Sequence, residues 1–521
     1  MSADPTRFTA VDETADLMER RGEPNLIYLE LAVTGRFDVD RLRAAVRTAF
    51  AAHPATRSHR APTPPWRTRS RWQLTAWPAT DPLTVRTGPS LDSLDSLDLA
   101  AERRAILDTP LDLRDAPLLR LRLLTGAPGG DRLLLVAHHA GFDGMGFVGV
   151  LLAICAAYNA TPQPPCAAPA PSGTPHAVPA APGRVSGGPA HPWAPVPGAA
   201  LPLPLPVAAS GGAPRAVPAA LGPASGAAGV PKGPGPGAGR PVLPVEAVRR
   251  PRPGLLPVRP VRVAREPAGG GRSGYAVVPL AFDAERTAAL SRAARAAGVT
   301  LNDLLLAALA LAVVRWNAAH ARPTAPLRIT MPVNTRDGQT RHDGQGNHSR
   351  LTSIGIGADS CAGDPRTLLA AVAARTAEAK AAPAGPQGGP AAVVLGAAWL
   401  PRAIRQLLAP GVRFAARALA DTTMLSNLGP ITALPRSLAG AGDITELWAA
   451  APAPMPRGLS VTALGAGGRL HLMIRHRLEA LDASAAAAFT ELLAHAVTEL
   501  STGAPAPSPA LAVPRSPEGP S

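Results

Sequence analysis

RLLLVAHHAGFDGMGFVGVLLAICAAY, Arg132 to Tyr158, carries the densest chemistry in the chain. Its apolar run, Leu133 to Ala137, fits a strand buried on both faces, although periodicity alone does not separate this from a buried helix. His138 and His139 follow, then a turn with Asp143 and Gly144, then an apolar helix over Phe147 to Tyr158. A polar turn between rigid elements is a common place for residues that face a cleft. Successive side chains of a strand point to opposite faces, so one histidine is expected to face a cleft and the other a structural partner. A cleft-facing imidazole takes up a proton near neutral pH. Asp143 either orients an imidazole or braces the turn. Gly144 bares the backbone where the helix starts, and free N–H groups there can hold a developing oxyanion.

These residues resemble a known motif. HHAGFDG, His138 to Gly144, is similar to the HHxxxDG motif of the condensation-domain superfamily of acyltransferases. That superfamily includes peptide-synthetase condensation domains, wax ester synthase/diacylglycerol acyltransferases and polyketide-associated acyltransferases. The resemblance implies that His139 is catalytic and that His138 and Asp143 are structural. It extends to PLDLRDAPLLRLRLL (Pro110 to Leu124) and to TLNDLLLAALALAVVRW (Thr300 to Trp316). MPVNTRDG (Met331 to Gly338) resembles a "PVNxR" stretch, which makes Arg336 the implied partner of Asp143 and Asn334 a candidate substrate-binding residue. Gly346-Asn347 resembles a "GN" element near the active-site tunnel, which makes Asn347 a further candidate substrate-binding residue. SNLGP (Ser426 to Pro430) resembles the segment that closes over that tunnel, where Ser426 and Asn427 either hydrogen-bond substrate carbonyls or cap a turn.

The implied fold is α+β, with two lobes like chloramphenicol acetyltransferase subunits in a V, and a tunnel between them. An acyl thioester on a pantetheine arm, from coenzyme A or a phosphopantetheinyl carrier protein acting in trans, would enter one side as co-substrate. A small-molecule alcohol or amine acceptor would enter the other. No bound cofactor or metal is expected, and a monomer suffices. Two further possibilities stay open: a wax-ester-synthase-like lipid enzyme, and a non-catalytic binding module that keeps the fold.

At 521 residues the chain has room for two cores, and with aromatics at only 3% these must be built mainly of Leu, Val and Ala. The formal net charge of +15 invites a nucleic-acid reading. Its distribution argues otherwise: ten basic residues and one acid, Glu246, lie scattered between Thr161 and Arg265 in a segment rich in Pro, Ala and Gly. No nucleic-acid partner is expected. Cys155, Cys166 and Cys361 are isolated and odd in number, so no disulfide framework or zinc motif is expected. His342, Asp343 and His348 lie in one polar stretch but lack further ligands at metal spacing. The N-terminus has no signal pattern, and the longest apolar run, Leu304 to Val314, falls short of the ~20 residues that span a bilayer. A cytoplasmic protein without a transmembrane segment is the expectation.

In chain order, residues 1–160 read as the first lobe. Thr9 to Arg21 is expected to be helical, Leu26 to Val33 a strand, Ala61 to Arg71 a loop, Asp98 to Leu107 a helix and Leu118 to Leu124 a half-exposed strand. Residues 161–271 read as a disordered linker. Residues 272–503 form the second lobe. It opens with a strand, Tyr275 to Phe282, and a helix capped by Asp283 and stopped at Gly298. Further helices are expected over Asp364 to Ala381 and Ala392 to Leu408, and a closing helix over Asp482 to Leu500. Residues 504–521 read as a disordered tail.

Overall fold

The computed structural model describes residues 6–19, 22–87, 96–126, 129–161, 259–334, 347–381, 394–397 and 399–502. The first half carries β1 (Thr6–Arg7), α1 (Ala10–Met18), β2 (Leu26–Val33), α2 (Val39–Ala52), β3 (Ser58–Arg60), β4 (Arg71–Leu74), β5 (Leu83–Thr87), α3 (Ser96–Asp108), β6 (Leu119–Thr125), β7 (Arg132–His138) and α4 (Gly144–Ala160). The second half carries β8 (Tyr275–Phe282), α5 (Ala284–Ala296), α6 (Leu301–Ala319), β9 (Leu327–Asn334), β10 (Ser349–Ile356), α7 (Ala358–Ala362), α8 (Pro365–Ala381), α9 (Arg402–Leu419), β11 (Thr423–Pro430), β12 (Ser437–Leu438), β13 (Gly442–Ala450), β14 (Leu459–Ala466), β15 (Arg469–Arg477) and α10 (Ala483–Thr502).

Two six-stranded sheets organise these elements. The first has the order β12-β13-β2-β7-β6-β5, the second β10-β9-β11-β14-β15-β8. A small sheet, β1-β4-β3, stands beside the first. The first sheet therefore borrows two strands from late in the chain. β13 runs antiparallel to β2, with Ala450 opposite Tyr28 and Leu447 opposite Leu31. The backbone ladder of one lobe is completed by the other, so the two halves of the sequence are not two separable units.

β2 shows why its sequence, LIYLELAV, has no clean alternation. All eight residues are buried. Ile27, Leu29, Leu31 and Val33 pack with α2 and α4. Leu26 and Tyr28 point the other way, into a cluster with Ile106 and Leu107 of α3, Trp448 of β13, and Tyr275 and Met473 from the second lobe. A strand covered on both faces needs apolar residues at both parities. Glu30 is the exception on that second face. It is fully buried, accepts two 2.7 Å hydrogen bonds from Arg103, and pairs with Arg132 at 2.7 Å. Burial alone would raise its pKa, but the two guanidiniums more than offset this and hold it below the usual carboxylate range.

The second lobe packs α6, α8 and α10 against its sheet. α6 starts from a capping box between Thr300 and Asp303 and is buried from Asp303 through Val313. It is long and apolar enough to cross a membrane by composition, but here it is the core helix of the lobe. Asp283 caps α5, and Gly298 follows it with φ +72°.

β2 and β8 span the residues expected from sequence, but several other elements differ. Arg259 to Gly271 do not behave as linker: Val263 and Ala264 are buried in the second-lobe core, and Ala264 exchanges hydrogen bonds with Asn317 and Trp316. The rest of the expected linker and the expected tail lie outside the described residues. No strand was expected over Ser58–Arg60, Arg71–Leu74 or Leu83–Thr87, short segments whose pairing comes from non-local partners. Of the helix expected over Ala392 to Leu408, Ala392 and Val393 lie outside the described residues and Val394 and Leu395 are helical, but the chain turns at Gly396 and α9 runs separately from Arg402 through Pro410 to Leu419. A proline inside a helix costs about 3 kcal/mol. Contacts to α1 on both sides of it offset that cost: Arg402 and Arg405 before, and Arg413 donating to the Leu17 carbonyl after.

Glu30→Ala leaves Arg103 buried without its carboxylate. The expected result is a loss of about 3–5 kcal/mol in chemical denaturation at neutral pH. The depressed carboxyl also fixes the sign of the pH effect: Glu30 stabilises the wild type above the unfolded carboxylate pKa, and that contribution fades as acid protonates it.

Candidate active site

β7 ends at His138, and the next residues form a tight turn into α4. The two histidines face different surroundings, but through the turn rather than strand alternation, because His139 already lies beyond the strand. His138 is fully buried. Its Nδ1 accepts from the Ala140 N–H at 3.1 Å, so Nε2 carries the hydrogen and donates to the Glu19 carboxylate at 3.0 Å. Both of its nitrogens are thus engaged.

His139 has the opposite tautomer. Its Nδ1 lies 2.9 Å from the Phe142 carbonyl, which only accepts, so Nδ1 holds the hydrogen and Nε2 has the lone pair. The backbone N–H of His139 donates to Asn25 O at 2.9 Å and fixes the residue from the other side. Burial lowers the imidazole pKa, with the Phe142 carbonyl and Asp143 pulling it back up in part. The ring is therefore neutral at pH 7, the form that accepts a proton.

Asp143 is buried at the N-cap of α4. One oxygen accepts from Gly146 N–H and the other from His348 N–H, each at 2.8 Å. The second contact crosses to the opposite lobe. Arg336, the implied partner of Asp143, lies outside the described residues, as do His342 and Asp343. No group of three or more potential metal ligands occurs among the described residues.

Gly144 is the first residue of α4, and its N–H and that of Met145 have no intrahelical acceptor. A Cβ at Gly144 would sit 2.9 Å from Leu428 Cδ2. Glycine at this place lets β11 of the second lobe close against the turn. Asn347 is buried, with Nδ2 3.4 Å from the His139 carbonyl and Oδ1 accepting from Ser349 N–H at 3.2 Å. It braces the His139 backbone and is not a lining residue of the cavity. Asn427 Oδ1 accepts from Gly429 N–H at 2.9 Å, where the chain turns with φ +70°, so this side chain caps a turn.

A cavity of about 600 Å³ opens beside these groups. His139, Gly144 and Met145 line it from the first lobe. Asn334, Ser426 and Asn427 line it from the second, and Ala449 to Pro452 from the crossover. The lining is predominantly apolar, with a few polar groups. Arg457 was not anticipated from sequence. It follows the crossover strand in the Pro-rich loop Ala451 to Gly458, where it reads as one more surface arginine. Here its side chain reaches the cavity, with Nη2 3.2 Å from Thr330 Oγ1, and burial lowers its pKa.

The whole described architecture can be set beside known structures. The first condensation domain of the calcium-dependent antibiotic synthetase, in complex with a substrate analogue, superposes with a TM-score of 0.58, covering 97% of this chain and 98% of that one at 16% identity. The fold is that of condensation domains. Other condensation-fold structures agree. The epimerization domain from the third module of tyrocidine synthetase B gives a TM-score of 0.53 at 13% identity, covering 96% of this chain and 97% of that one. SgcC5 from Streptomyces globisporus gives 0.53 at 15%, covering 95% of this chain and 98% of that one. Residues 272–338 match the family model of the phthiocerol/phthiodiolone dimycocerosyl transferase C-terminus. An uncharacterized protein of Mycobacterium tuberculosis, Rv2305, is 28% identical over 484 residues, 90% of this chain and 93% of its own length. Together, the condensation fold and the transferase-family match support acyl transfer of the condensation type.

Asp143→Ala removes a helix cap and a charged acceptor shared by two lobes. A stability loss of about 2–4 kcal/mol is expected from denaturant unfolding. His139→Ala, by contrast, should unfold close to the wild-type midpoint, because its side chain makes one hydrogen bond at a cavity wall.

Proposed function

We propose that the protein transfers an acyl group from a pantetheine thioester, carried by coenzyme A or by a carrier protein, to a hydroxyl or amine acceptor. The observation that carries this reading is His139: a neutral imidazole with Nδ1 tied to its own turn and Nε2 left as the base, on the wall of a largely apolar cavity. The acceptor's O–H or N–H gives its proton to Nε2 as the oxygen or nitrogen attacks the thioester carbonyl. The carbonyl becomes a tetrahedral oxyanion, held by backbone N–H groups at the start of α4, with Gly144 first among them. Collapse breaks the C–S bond. The departing thiolate takes the proton back from His139, leaving a free thiol and an ester or amide.

A covalent acyl-enzyme is not part of this scheme. Burial pushes the Cys155 thiol up to about 12 and the Cys361 thiol to about 11, so neither supplies a thiolate at neutral pH. His138, Asp143 and Asn347 act by position, holding the turn and the His139 backbone. Ser426 and Asn334 are the cavity side chains proposed to contact the substrates. Arg336 is carried forward as a further brace of Asp143.

The apolar lining favours an acyl chain over a strongly polar donor. It is also in keeping with the family model's name, which describes a dimycocerosyl transferase. A lipid acceptor is therefore the second reading, separated from an amine acceptor by the product.

The test offers purified protein acyl-coenzyme A and acyl-carrier donors with mixed alcohols and amines, followed by mass spectrometry. A product made by wild type and lost at least a hundredfold in His139→Ala supports the mechanism. A folded His139→Ala variant that keeps the wild-type rate overturns it. The lowered imidazole pKa also predicts the acid limb of kcat/KM: the rate should hold below pH 6.5 and fall only as His139 protonates at a more acidic pH. Wild-type rate already falling above pH 6.5 would contradict the burial argument.

A further inference from the structure

Helix α9 is turned inside out relative to a helix on a soluble surface. Amphipathic surface helices normally bury their apolar stripe and show their charges. Here two of its four arginines are buried. Arg402 and Arg405 are 5% and 0% exposed. Arg402 contacts Glu13 at 3.1 Å and Asp16 at 2.6 Å, and Arg405 reaches Glu13 at 3.1 Å. Ala409 and Val412 complete that inner face against Leu17 of α1. The outer face carries Ile404, Leu407, Leu408 and Phe414 at helical spacing, with Leu407 80% and Phe414 76% exposed.

Two tryptophans extend this face. Trp399, on the turn leading into α9, is 78% exposed. Trp66 is 71% exposed, and its loop is tied to the start of α9 by hydrogen bonds from Arg402 N–H to the Arg67 carbonyl and from Ala403 N–H to the Pro65 carbonyl. Six large apolar side chains are thus exposed on α9 and the two turns beside it. The flanking sequence is basic. No Asp or Glu occurs between Glu378 and Asp421, or in the loop from Arg60 to Arg71, while Arg67 and Arg417 are exposed.

From this placement we infer that the α9 face, with Trp66 and Trp399, docks the protein on an anionic lipid surface. Interfacial helices present Trp, Phe and Leu towards the acyl boundary and have basic residues nearby for the headgroups. Tryptophan also prefers the headgroup level. A protein partner is the weaker fit, because interface hot spots sit in well-packed pockets, whereas these side chains are largely exposed on a helix and two turns. The inference stands apart from the acyl-transfer proposal, since none of these residues lines the His139 cavity.

Vesicle flotation tests it with the full chain. Phosphatidylglycerol-containing vesicles are expected to carry wild type upward, and pure phosphatidylcholine vesicles much less. Leu407→Glu with Phe414→Glu should cut the bound fraction at least tenfold, while Leu407→Ile with Phe414→Leu retains it. Both pairs are exposed, so circular dichroism should show an unchanged fold. Wild type that stays in solution with anionic vesicles overturns the inference, as does binding that survives the double glutamate variant. A wild-type dimer made monomeric by the same variant, with no vesicle binding, assigns the face to a second copy instead. Cross-linking to an acyl carrier that the variant abolishes, again without vesicle binding, assigns it to that protein.

Discussion

One carboxylate is shared between two lobes. Asp143 has two oxygens; one closes the first turn of α4 and the other holds the backbone of His348. A buried carboxylate needs such partners, because an unpaired charge in the interior is costly. The demand works in both directions. α4 cannot start where it does without its cap, and the segment entering β10 cannot approach the HH turn without an acceptor. Asn347 adds a second tie from the same segment to the His139 carbonyl. The cavity between the lobes therefore has a fixed wall at the place where chemistry is proposed.

Tautomer choice follows from the same turn. Ala140 N–H points at His138 Nδ1, while the Phe142 carbonyl points at His139 Nδ1. A donor on one ring and an acceptor on the next give adjacent histidines opposite hydrogens. His138 spends both nitrogens on structure. His139 spends one and keeps the other as a lone pair. No charged partner is needed to set this up, and burial keeps the ring neutral. Backbone groups alone impose the orientation that an Asp–His pair would otherwise supply.

Much of this was legible in sequence because the signals were local. The Asp283 cap of α5 and the β2 and β8 boundaries each depend on residues within a few positions of one another. What stayed hidden depends on distant partners. β5 is a strand because it lies alongside β6, and β13 joins the first sheet across more than 400 residues of chain. Val263 and Ala264 look like linker by composition, yet Asn317 and Trp316 supply the hydrogen bonds that hold them. Asn347 carries a family-like element but braces a backbone carbonyl, a role that no pattern in its own neighbours indicates. Arg457 is similar: only the pairing of β13 with β2 brings the loop that follows it to the cavity.

The inversion of α9 has the same origin. Glu13 and Asp16 lie on α1, and both are withdrawn from water by the small sheet and by α9 itself. Ser70 N–H donates to Glu13 and Arg60 donates to both oxygens of Asp16, and the remaining charge is met by further cations. Arg402 and Arg405, three residues apart, are on one face of α9 and meet that need. Once they turn inward, the helical period leaves Leu407 and Phe414 no place but outside. A helix of this composition docked by its apolar stripe would bury Leu and Phe at the cost of leaving Glu13 without its partners. The electrostatic requirement of α1 therefore sets which side of α9 the solvent, or a lipid surface, meets.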